Sequence, residues 1–463
     1  MTDHTRSLTE RLAAHWAGTS FDDLAVDVVA GIKDHILDTL AIGLVGSVTP
    51  EVQGVIRALE RFTPTNAGST VWGTGLRLTP AQAALVNGTS AHARDFDDGG
   101  GAGHAGSTVL PAAIAAAESA GADGRALLTA TVAGYDVGYR ALQALGGFAL
   151  HTDRGWHSSG TMGSLAAAAA AATCLGADEA EYTNALGIAG SFTGGVWAFI
   201  DDGAMSKRVH PGKAGETGVD AAILAVGGVT GPHRLFEAPW GGLFSLYAGG
   251  EDGTERALAG LGTDLNVATS YIKPYACCRG SHSAVDTVKD LVAARSLTPD
   301  DVEAVVITAG TTAVNMLSVY PIDTVFDAQF SLPYAVSLAL CGRPLGLADY
   351  DPPRLTDPQI AATFAKISMV VDDTIEIEDG PRLELRLRSG EVVTVDAGNP
   401  TFAFGSSKNP MSHADVVAKA TLLLEPFGGD VAERLVDAVE SLDEAPDLSE
   451  LLSVLAAERV PTS

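Results

Sequence analysis

The spacing of apolar residues divides this chain into three stretches. Over about the first 265 residues, apolar side chains recur at helical intervals, as at Leu8, Leu12 and Trp16. Near Ile272 the pattern changes to β-branched and alternating segments, and beyond Pro410 the helical spacing returns. We therefore predict a mostly α protein, in which both ends of the chain build one helical domain and a smaller α+β domain is inserted between them.

The first part of the helical domain, residues 1–268, shows no strand alternation and is predicted to be all-α. A Phe-Asp-Asp triplet at residues 21–23 is typical of a helix N-terminus. The alanine-rich run over residues 165–175 is shorter than the roughly 20 residues that span a bilayer, and it predicts a buried helix. Further predicted helices cover residues 22–43, 79–93, 107–120 and 124–145.

The inserted domain, residues 269–404, carries the predicted strands. β-branched side chains predict strands over residues 302–308 and 368–371. Alternating leucines and charged residues over 383–388, then Ser389-Gly390 and a valine-rich run, predict a β-hairpin. The last part of the chain, residues 405–463, completes the helical domain with helices predicted over residues 413–424, 430–442 and 448–459.

The composition is strongly acidic, with 29 Lys and Arg against 57 Asp and Glu and a formal net charge of −28. This charge argues against nucleic acid or an anionic membrane as a partner, because both repel an acidic surface. An anionic substrate would need a locally basic pocket. The sequence contains no glycine-rich phosphate loop of either common type.

The cysteines favour a reducing compartment. Cys277 and Cys278 are adjacent and poorly placed for a mutual disulfide, and no Cys-x-x-Cys spacing occurs. Residues 1–4 lack the basic-then-apolar layout of a signal peptide. We therefore expect a cytoplasmic protein.

The strongest candidate for a functional site is a carboxylate cluster that ends in a histidine. The cluster begins at His92; Asp95, Asp97 and Asp98 lie within four residues, and five small residues lead from them to His104. Close carboxylates repel one another unless they are paired, buried or protonated, and this can shift a pKa toward catalytic use. Two alternatives stay open at this point: a solvated loop after a helix, and a metal site for Mn, Fe or Zn. The sequence lacks a His-Glu-x-x-His spacing that would favour metal.

Two further segments combine imidazole with groups that bind anions. His157 precedes Ser158 at a predicted helix start, where hydroxyls and free N–H groups can receive an anion. Lys207 and His210 belong to the densest basic patch of the chain, which could hold carboxylates. The alternatives are a simple serine cap in the first case and an exposed basic turn in the second.

A fourth segment lies where the two predicted domains meet along the chain. Lys273, Arg279 and His282 flank the adjacent thiols of Cys277 and Cys278. A nearby cation could lower a thiol pKa and make it reactive, although buried structural cysteines are the more common case. We expect this segment to contribute to a ligand site.

Taken in order, these segments resemble the MmgE/PrpD family, which includes 2-methylcitrate dehydratases, cis-aconitate decarboxylases and an iminodisuccinate epimerase. The resemblance covers nearly the whole chain and rests on five motifs: A-H-A-R-D-F-D-D, G-W-H-S-S-G-T, K-R-V-H-P-G, K-P-Y-A-C-C-R-G-S-H and A-Q-F-S-L-P-Y. It implies a helical domain built from both termini, an inserted α+β lid, a homodimer, and no metal or organic cofactor.

The resemblance also implies the residues of the active site. The implied catalytic groups are Asp95, His104, His157, Lys207 and Tyr320. The implied substrate-binding groups are His210, Lys273, Arg279, His282 and Ser158. The chain departs from the decarboxylases at two positions, with Gly99 in place of a threonine and Cys278 in place of a histidine.

The chemistry implied by the family is proton movement at a carbon next to a carboxylate, on a small di- or tricarboxylate. The motifs favour a lyase of the 2-methylcitrate dehydratase type, with His104 and His157 as acid and base. The alternatives are cis-aconitate decarboxylation and epimerisation of an imino- or amino-dicarboxylate. A different class is an inactive homodimer that only binds a carboxylate.

Overall fold

The computed structural model describes residues 6–61, 68–376 and 379–460. Residues 1–4, considered above for a signal peptide, lie outside these ranges. The chain forms two compact units. The helical unit consists of Met1–Ala93, Asp97–Ser270 and Ser412–Ser463, and the α+β unit consists of Arg94–Phe96 and Tyr271–Met411. This confirms a mostly α protein with an inserted α+β part.

Helices dominate the described residues. In chain order they are α1 Leu8–Ala17, α2 Val26–Gly46, α3 Pro50–Glu60, α4 Pro80–His92, α5 Ala105–Ala120, α6 Gly124–Ala144, α7 Gly147–Asp153, α8 Ser158–Thr161, α9 Gly163–Cys174, α10 Glu179–Ser191, α11 Ser206–Val226, α12 Leu243–Tyr247, α13 Thr254–Leu258, α14 His282–Arg295, α15 Thr311–Leu317, α16 Val325–Gln329, α17 Leu332–Leu340, α18 Pro352–Leu355, α19 Pro358–Phe364, α20 His413–Leu424, α21 Val431–Glu440 and α22 Ser449–Leu455. Helices α14–α19 belong to the α+β unit.

The strands form two sheets. In the helical unit, β1 (Ser69–Thr70) pairs antiparallel with β2 (Arg77–Leu78). The four-stranded sheet of the α+β unit has the order β4-β3-β5-β6, and its strands are β3 Val302–Ala309, β4 Ile367–Val371, β5 Arg382–Leu387 and β6 Val392–Asp396. Strands β3 and β4 are parallel, whereas β5 pairs antiparallel with β3 and β6.

Two local predictions differ from the structure. The helical unit is not purely α, because β1 and β2 form a hairpin too short to show alternation. Buried Asn87 supports it by donating to the carbonyl of Thr70 and accepting from the backbone of Trp72, both at 2.9 Å. The triplet Phe21–Asp23 forms a separate 3-10 turn, and α2 begins only at Val26.

Small residues allow the central helices of the helical unit to approach closely. In α9, residues Leu165–Ala172 are all buried. A Cβ added to Gly218 of α11 would lie 2.4 Å from the Cβ of Ala167 in α9. Where α4 meets α11, a Cβ on Gly88 would lie 2.6 Å from the Cα of Gly212. Only glycine permits this second contact, which brings the last turn of α4 to the first turns of α11.

A buried ion pair joins the C-terminal part of the helical unit to its N-terminal part. Lys419 Nζ of α20 lies 2.6 Å from Asp38 Oδ1 of α2, and both side chains are buried. Burial raises the pKa of Asp38 to about 6, against the opposing effect of Lys419.

We expect Lys419→Met to lower the free energy of unfolding by about 3–5 kcal/mol, because it leaves a buried carboxylate uncompensated. Urea unfolding followed by circular dichroism measures this loss. The double variant Asp38→Asn/Lys419→Met should recover most of it, since the buried charge is then gone. A single variant as stable as the parent protein would contradict the expected role of the pair.

Candidate active site

His92, the last residue of α4, is fully buried and has a different partner at each ring nitrogen. Its Nδ1 lies 2.9 Å from Asp97 Oδ2, and its Nε2 lies 2.7 Å from Lys207 Nζ. A lysine ammonium offers only donors, so Nε2 must accept and Nδ1 must carry the proton that goes to Asp97. Burial, with Lys207 and His104 nearby, holds the pKa of His92 well below its usual range despite the opposing charge of Asp97.

Asp97 is a buried carboxylate shared by two histidines. Besides accepting from His92, its Oδ2 lies 3.1 Å from His104 Nδ1. This distance allows an ion pair, but the contact does not have the geometry of a hydrogen bond. Burial raises the pKa of Asp97, but His92 and His104 outweigh it and hold that pKa well below its usual range. Asp97 therefore provides a fixed negative charge beside both rings.

His104 is the N-cap of α5, and a glycine turn determines its position. Gly100 and Gly103 exchange two backbone hydrogen bonds of 2.8 Å. Gly103 has a φ of +117°, and a Cβ there would lie 2.7 Å from the hydroxyls of Ser158 and Ser159. Ser159 Oγ accepts from the backbone N–H of His104 at 3.0 Å. The small residues therefore let the His104 loop pack directly against α8.

His157 and His210 form a second imidazole pair. His157 is the N-cap of α8, and its Nδ1 lies 3.0 Å from Nδ1 of His210 in α11. Only one of these nitrogens carries the shared proton, so the two tautomers are complementary. Burial and Lys207 lower the pKa of His210 to about 4, and they hold the pKa of His157 well below its usual range. Both rings are therefore neutral at pH 7.

Histidines His92, His104 and His157 of the helical unit lie close together. The ring centroids of His104 and His157 are 6.4 Å apart, and those of His92 and His104 are 4.2 Å apart. Ser158 Oγ is buried and finds no hydrogen-bond partner within the described part of the chain. Lys207 is buried, so the alternative of an exposed basic turn is wrong for this residue.

Asp98 has hydrogen-bond partners that differ from those of Asp97. It accepts from His35 Nδ1 at 2.6 Å, from the hydroxyl of Tyr135, and from the backbone N–H of Gly106 at 2.8 Å. The last contact satisfies a free N–H in the first turn of α5. The carboxylates of the cluster are thus paired separately, and the alternative of a solvated loop is wrong.

Asp95 belongs to the α+β unit, where it pairs with Lys273. Lys273 Nζ donates to the backbone carbonyl of Asp95 at 2.8 Å and to its Oδ1 at 3.0 Å, and both side chains are buried. Asp95 has a φ of +49°, a left-handed conformation that aspartate tolerates better than most residues. Lys273 therefore stabilises the strained backbone at Asp95 and also pairs with its carboxylate.

Two other predicted residues of the α+β unit, Arg279 and His282, have structural contacts. Arg279 donates to the carbonyl of Pro400 and to Ser406 Oγ. His282 is fully buried with Nε2 3.3 Å from the carbonyl of Cys277. Burial, then Arg279 and Lys273, hold the pKa of His282 well below its usual range. Their roles toward a substrate stay predictions.

The thiols and Tyr320 are also located in this unit. Burial raises the pKa of Cys277 to about 12, so its thiol stays protonated and unreactive. Cys278 Sγ lies 3.8 Å from Met316 Sδ. Tyr320 is 44% exposed, and its ring centroid lies 5.3 Å from that of Phe364. Burial of part of the ring raises the pKa of Tyr320 to about 12, so it is a neutral donor at pH 7.

The metal alternative is testable at the histidine cluster. His92, Asp97 and His104 offer ligand atoms within 4.8 Å of one another. Lys207 Nζ, however, lies 2.7 Å from His92 Nε2, and the positive charge of its ammonium opposes a metal ion bound beside it. We expect prolonged EDTA treatment to leave turnover unchanged. Loss of activity that Zn²⁺ or Mn²⁺ restores would contradict this.

Sequence reasoning placed Asp97 in the candidate carboxylate cluster but gave neither Asp97 nor His92 a catalytic or binding role, although both lie in the first of the five motifs. A usable pattern was present: a histidine at the predicted end of a helix and an aspartate five residues later. The contact of His92 with Lys207 joins residues 115 apart in the sequence, and no local spacing predicts it.

Within the described residues, every helix is too short or too polar to cross a membrane. Fold and site together define a class of protein: a helical unit with an inserted α+β unit and a buried cluster of histidines, aspartate and lysine. The chain belongs to the MmgE/PrpD family, since the N-terminal domain profile of that family matches residues 10–255 and the C-terminal profile matches residues 275–444. This confirms the resemblance drawn from the motifs.

Curated relatives carry the name of one enzyme. The cis-aconitate decarboxylase-like protein oryM of Aspergillus oryzae is 34% identical over 283 residues, and the aligned part is 58% of this chain and 58% of that protein. Cis-aconitate decarboxylase of Aspergillus terreus is 27% identical over 95% of this chain and 94% of its own. The human cis-aconitate decarboxylase is 27% identical over 98% of this chain and 96% of its own.

Proposed function

We propose that this protein is a lyase that moves a proton at a carbon next to a carboxylate in a small di- or tricarboxylate. The observation that carries the proposal is the buried cluster in which Asp97 holds two histidines and one of them contacts Lys207. Such a cluster combines a cation for an anionic substrate with imidazoles that exchange protons.

The helical unit offers groups for binding a carboxylate in an acidic protein. Lys207 supplies positive charge in a buried setting, where its attraction for an anion is strong. Ser158 Oγ can donate a hydrogen bond to the same group, since it has no acceptor within the described residues. Asp95, Lys273, Arg279, His282 and Tyr320 stay predicted site residues on the strength of the family resemblance.

His104 and His157 are the proposed proton-transfer groups. Asp97 lies beside His104 Nδ1, which leaves Nε2 for exchange with a substrate, as in aspartate–histidine pairs of other enzymes. His157 is neutral and buried, and its Nδ1 is engaged by His210. We propose His104 as the acid that protonates carbon, whereas the neutral ring of His157 would be the base in the dehydration and epimerisation alternatives.

Among the family reactions, we propose decarboxylation of cis-aconitate or a close analogue, because the Aspergillus terreus and human relatives named above are cis-aconitate decarboxylases. The bond to the departing carboxyl carbon breaks, and its electron pair forms a new C=C bond. The electron pair of the original C=C bond is then protonated by the acid. The new C–H bond forms at the carbon next to another carboxylate. One acid therefore completes the reaction, whereas the dehydration favoured by the motifs also needs protonation of a leaving hydroxide.

The test is a substrate panel followed by NMR in D2O: cis-aconitate, 2-methylcitrate, citrate and iminodisuccinate. We expect cis-aconitate to lose CO2 and to yield a product with one deuterium at the newly protonated carbon. Water loss from 2-methylcitrate, with cis-aconitate inert, would support the dehydratase instead. Deuterium exchange without net reaction would support the epimerase, and four inert substrates would overturn the lyase proposal.

We also infer a homodimer in the cytoplasm, as the family resemblance implies. Light scattering of the purified protein measures the assembly, and a mass of one chain would overturn the inferred dimer. Localisation of a tagged full-length chain tests the compartment.

A further inference from the structure

We propose that His92 is a positioning residue: a neutral imidazole with its proton on Nδ1, which orients Lys207 through Nε2 and sets, through Asp97, how strongly His104 is held. The inference deepens the proposed function and rests on it for the roles of Lys207 and His104. His92 itself acts on the substrate only through these two side chains, since both of its ring nitrogens already have partners.

The fold places His92 and Lys207 together by a specific backbone contact. Gly88 lies one turn before His92 in α4, and Gly212 lies just over one turn after Lys207 in α11. The two glycines pack so closely that a Cβ on Gly88 would meet the Cα of Gly212 at 2.6 Å. The helix crossing therefore fixes the distance between imidazole and ammonium before any substrate binds.

Donor and acceptor counting assigns the tautomer. Lys207 donates to Nε2, and Asp97 accepts from Nδ1 at 2.9 Å with its second oxygen 3.1 Å away. A proton on Nε2 would face the ammonium and leave Nδ1 as a lone pair against a carboxylate. The charged and titratable groups of the helical unit near the His92 ring include Asp97, Lys207, His104 and His157, and Arg208 donates to the backbone carbonyl of His92 at 3.5 Å. The carboxylate of Asp97 lies at one ring nitrogen and the ammonium of Lys207 at the other, so a neutral imidazole can hydrogen-bond to both side chains.

Asp97 couples His92 to His104 because one carboxylate serves both rings. Its Oδ2 accepts from the N–H of His92 and also lies at ion-pair distance, 3.1 Å, from His104 Nδ1. Removal of that N–H would leave the charge of Asp97 less compensated beside His104. The pH profile of turnover reports this change, and a purely structural residue would not produce it.

Two substitutions separate the two halves of the role. Asparagine places a donor near the position of Nδ1 and lacks a group at Nε2, whereas glutamine places an acceptor near Nε2 and lacks the donor to Asp97. We expect His92→Asn to raise KM for cis-aconitate about tenfold or more, because Lys207 loses its orientation. We expect His92→Gln to keep KM and to move the pH profile of kcat upward by about 0.5–1 unit.

His35→Asn is the matched control, because His35 Nδ1 also faces a buried carboxylate, Asp98, at 2.6 Å. Like the His92 variants, His35→Asn removes a buried contact and should lower thermal stability. It should leave both KM and the pH profile of kcat unchanged. Equal effects of His92→Asn and His92→Gln on KM and pH profile would overturn the proposal, as would the same effects in His35→Asn.

Imidazole ¹⁵N NMR tests the tautomer in the unsubstituted protein without any turnover. The His92 signals are identified by their absence in either His92 variant. We expect the neutral Nδ1–H form throughout pH 6–8, and an Nε2–H form or an imidazolium would overturn the proposal. If the tautomer is as expected while all four substrates are inert, the proposed function fails and the geometry assigned to His92 stands.

Discussion

His104→Gln is expected to lower kcat about 10²–10⁴-fold, the usual contribution of a positioned acid or base. Glutamine fills a similar volume and can donate a hydrogen bond, but it cannot exchange a proton at neutral pH. The backbone N–H of residue 104 keeps its acceptor in Ser159, so the loop before α5 should be preserved. Steady-state kinetics with cis-aconitate, together with a thermal unfolding curve, measure the two effects separately.

The control for this substitution is His233→Gln, at an exposed histidine of the same unit that lies near Asn184 and Glu10. It should keep the parental kcat. If His104→Gln also turned over at the parental rate, His104 could not be the acid or the base.

Lys207→Ala is expected to lower kcat/KM about 10²–10³-fold, as loss of one group that stabilises developing negative charge usually does. The lysine is buried and its ammonium lies 2.7 Å from His92 Nε2, so its charge acts in a medium that screens weakly. Lys207→Arg should restore little, because a planar guanidinium cannot occupy the same contact with an imidazole nitrogen.

Lys213→Ala provides the matched control in the same helix, since Lys213 is exposed and pairs with Glu216 at 2.7 Å. Its loss should leave kcat/KM unchanged. A Lys207→Ala enzyme with the parental kcat/KM would exclude this lysine from substrate binding and from stabilisation of the reacting carboxylate.

Much of the fold follows from periodicity in the sequence. The Ser389-Gly390 turn and the alternating leucines before it predict the β5–β6 hairpin, and the structure pairs Leu385 with Val393. The helix predicted over residues 413–424 matches α20. The β1–β2 hairpin could not be predicted, because it has two residues per strand and depends on Asn87, a residue in a neighbouring helix.

The candidate site could be predicted only in part. Motifs indicated His104, His157 and Lys207, since each lies in a short segment dense in polar groups. The contact of His92 with Lys207 could not be predicted, because Lys207 belongs to another helix and a close glycine contact between the helices creates the pairing. The pairing of the neighbouring aspartates was hidden in part, because Lys273 lies 178 residues from Asp95 and His35 lies 63 residues from Asp98. Only Asp97 has a nearby partner, His92, five residues before it.

The central claim is that this cluster decarboxylates a polycarboxylate by delivering one proton. The most direct measurement follows ¹³C-labelled cis-aconitate in D2O with the parent protein, His104→Gln and Lys207→Ala under one set of conditions. We predict labelled CO2 and a singly deuterated product from the parent protein, and almost no product from either variant. Turnover by both variants at the parental rate, or a parent protein inert toward cis-aconitate, would contradict the claim.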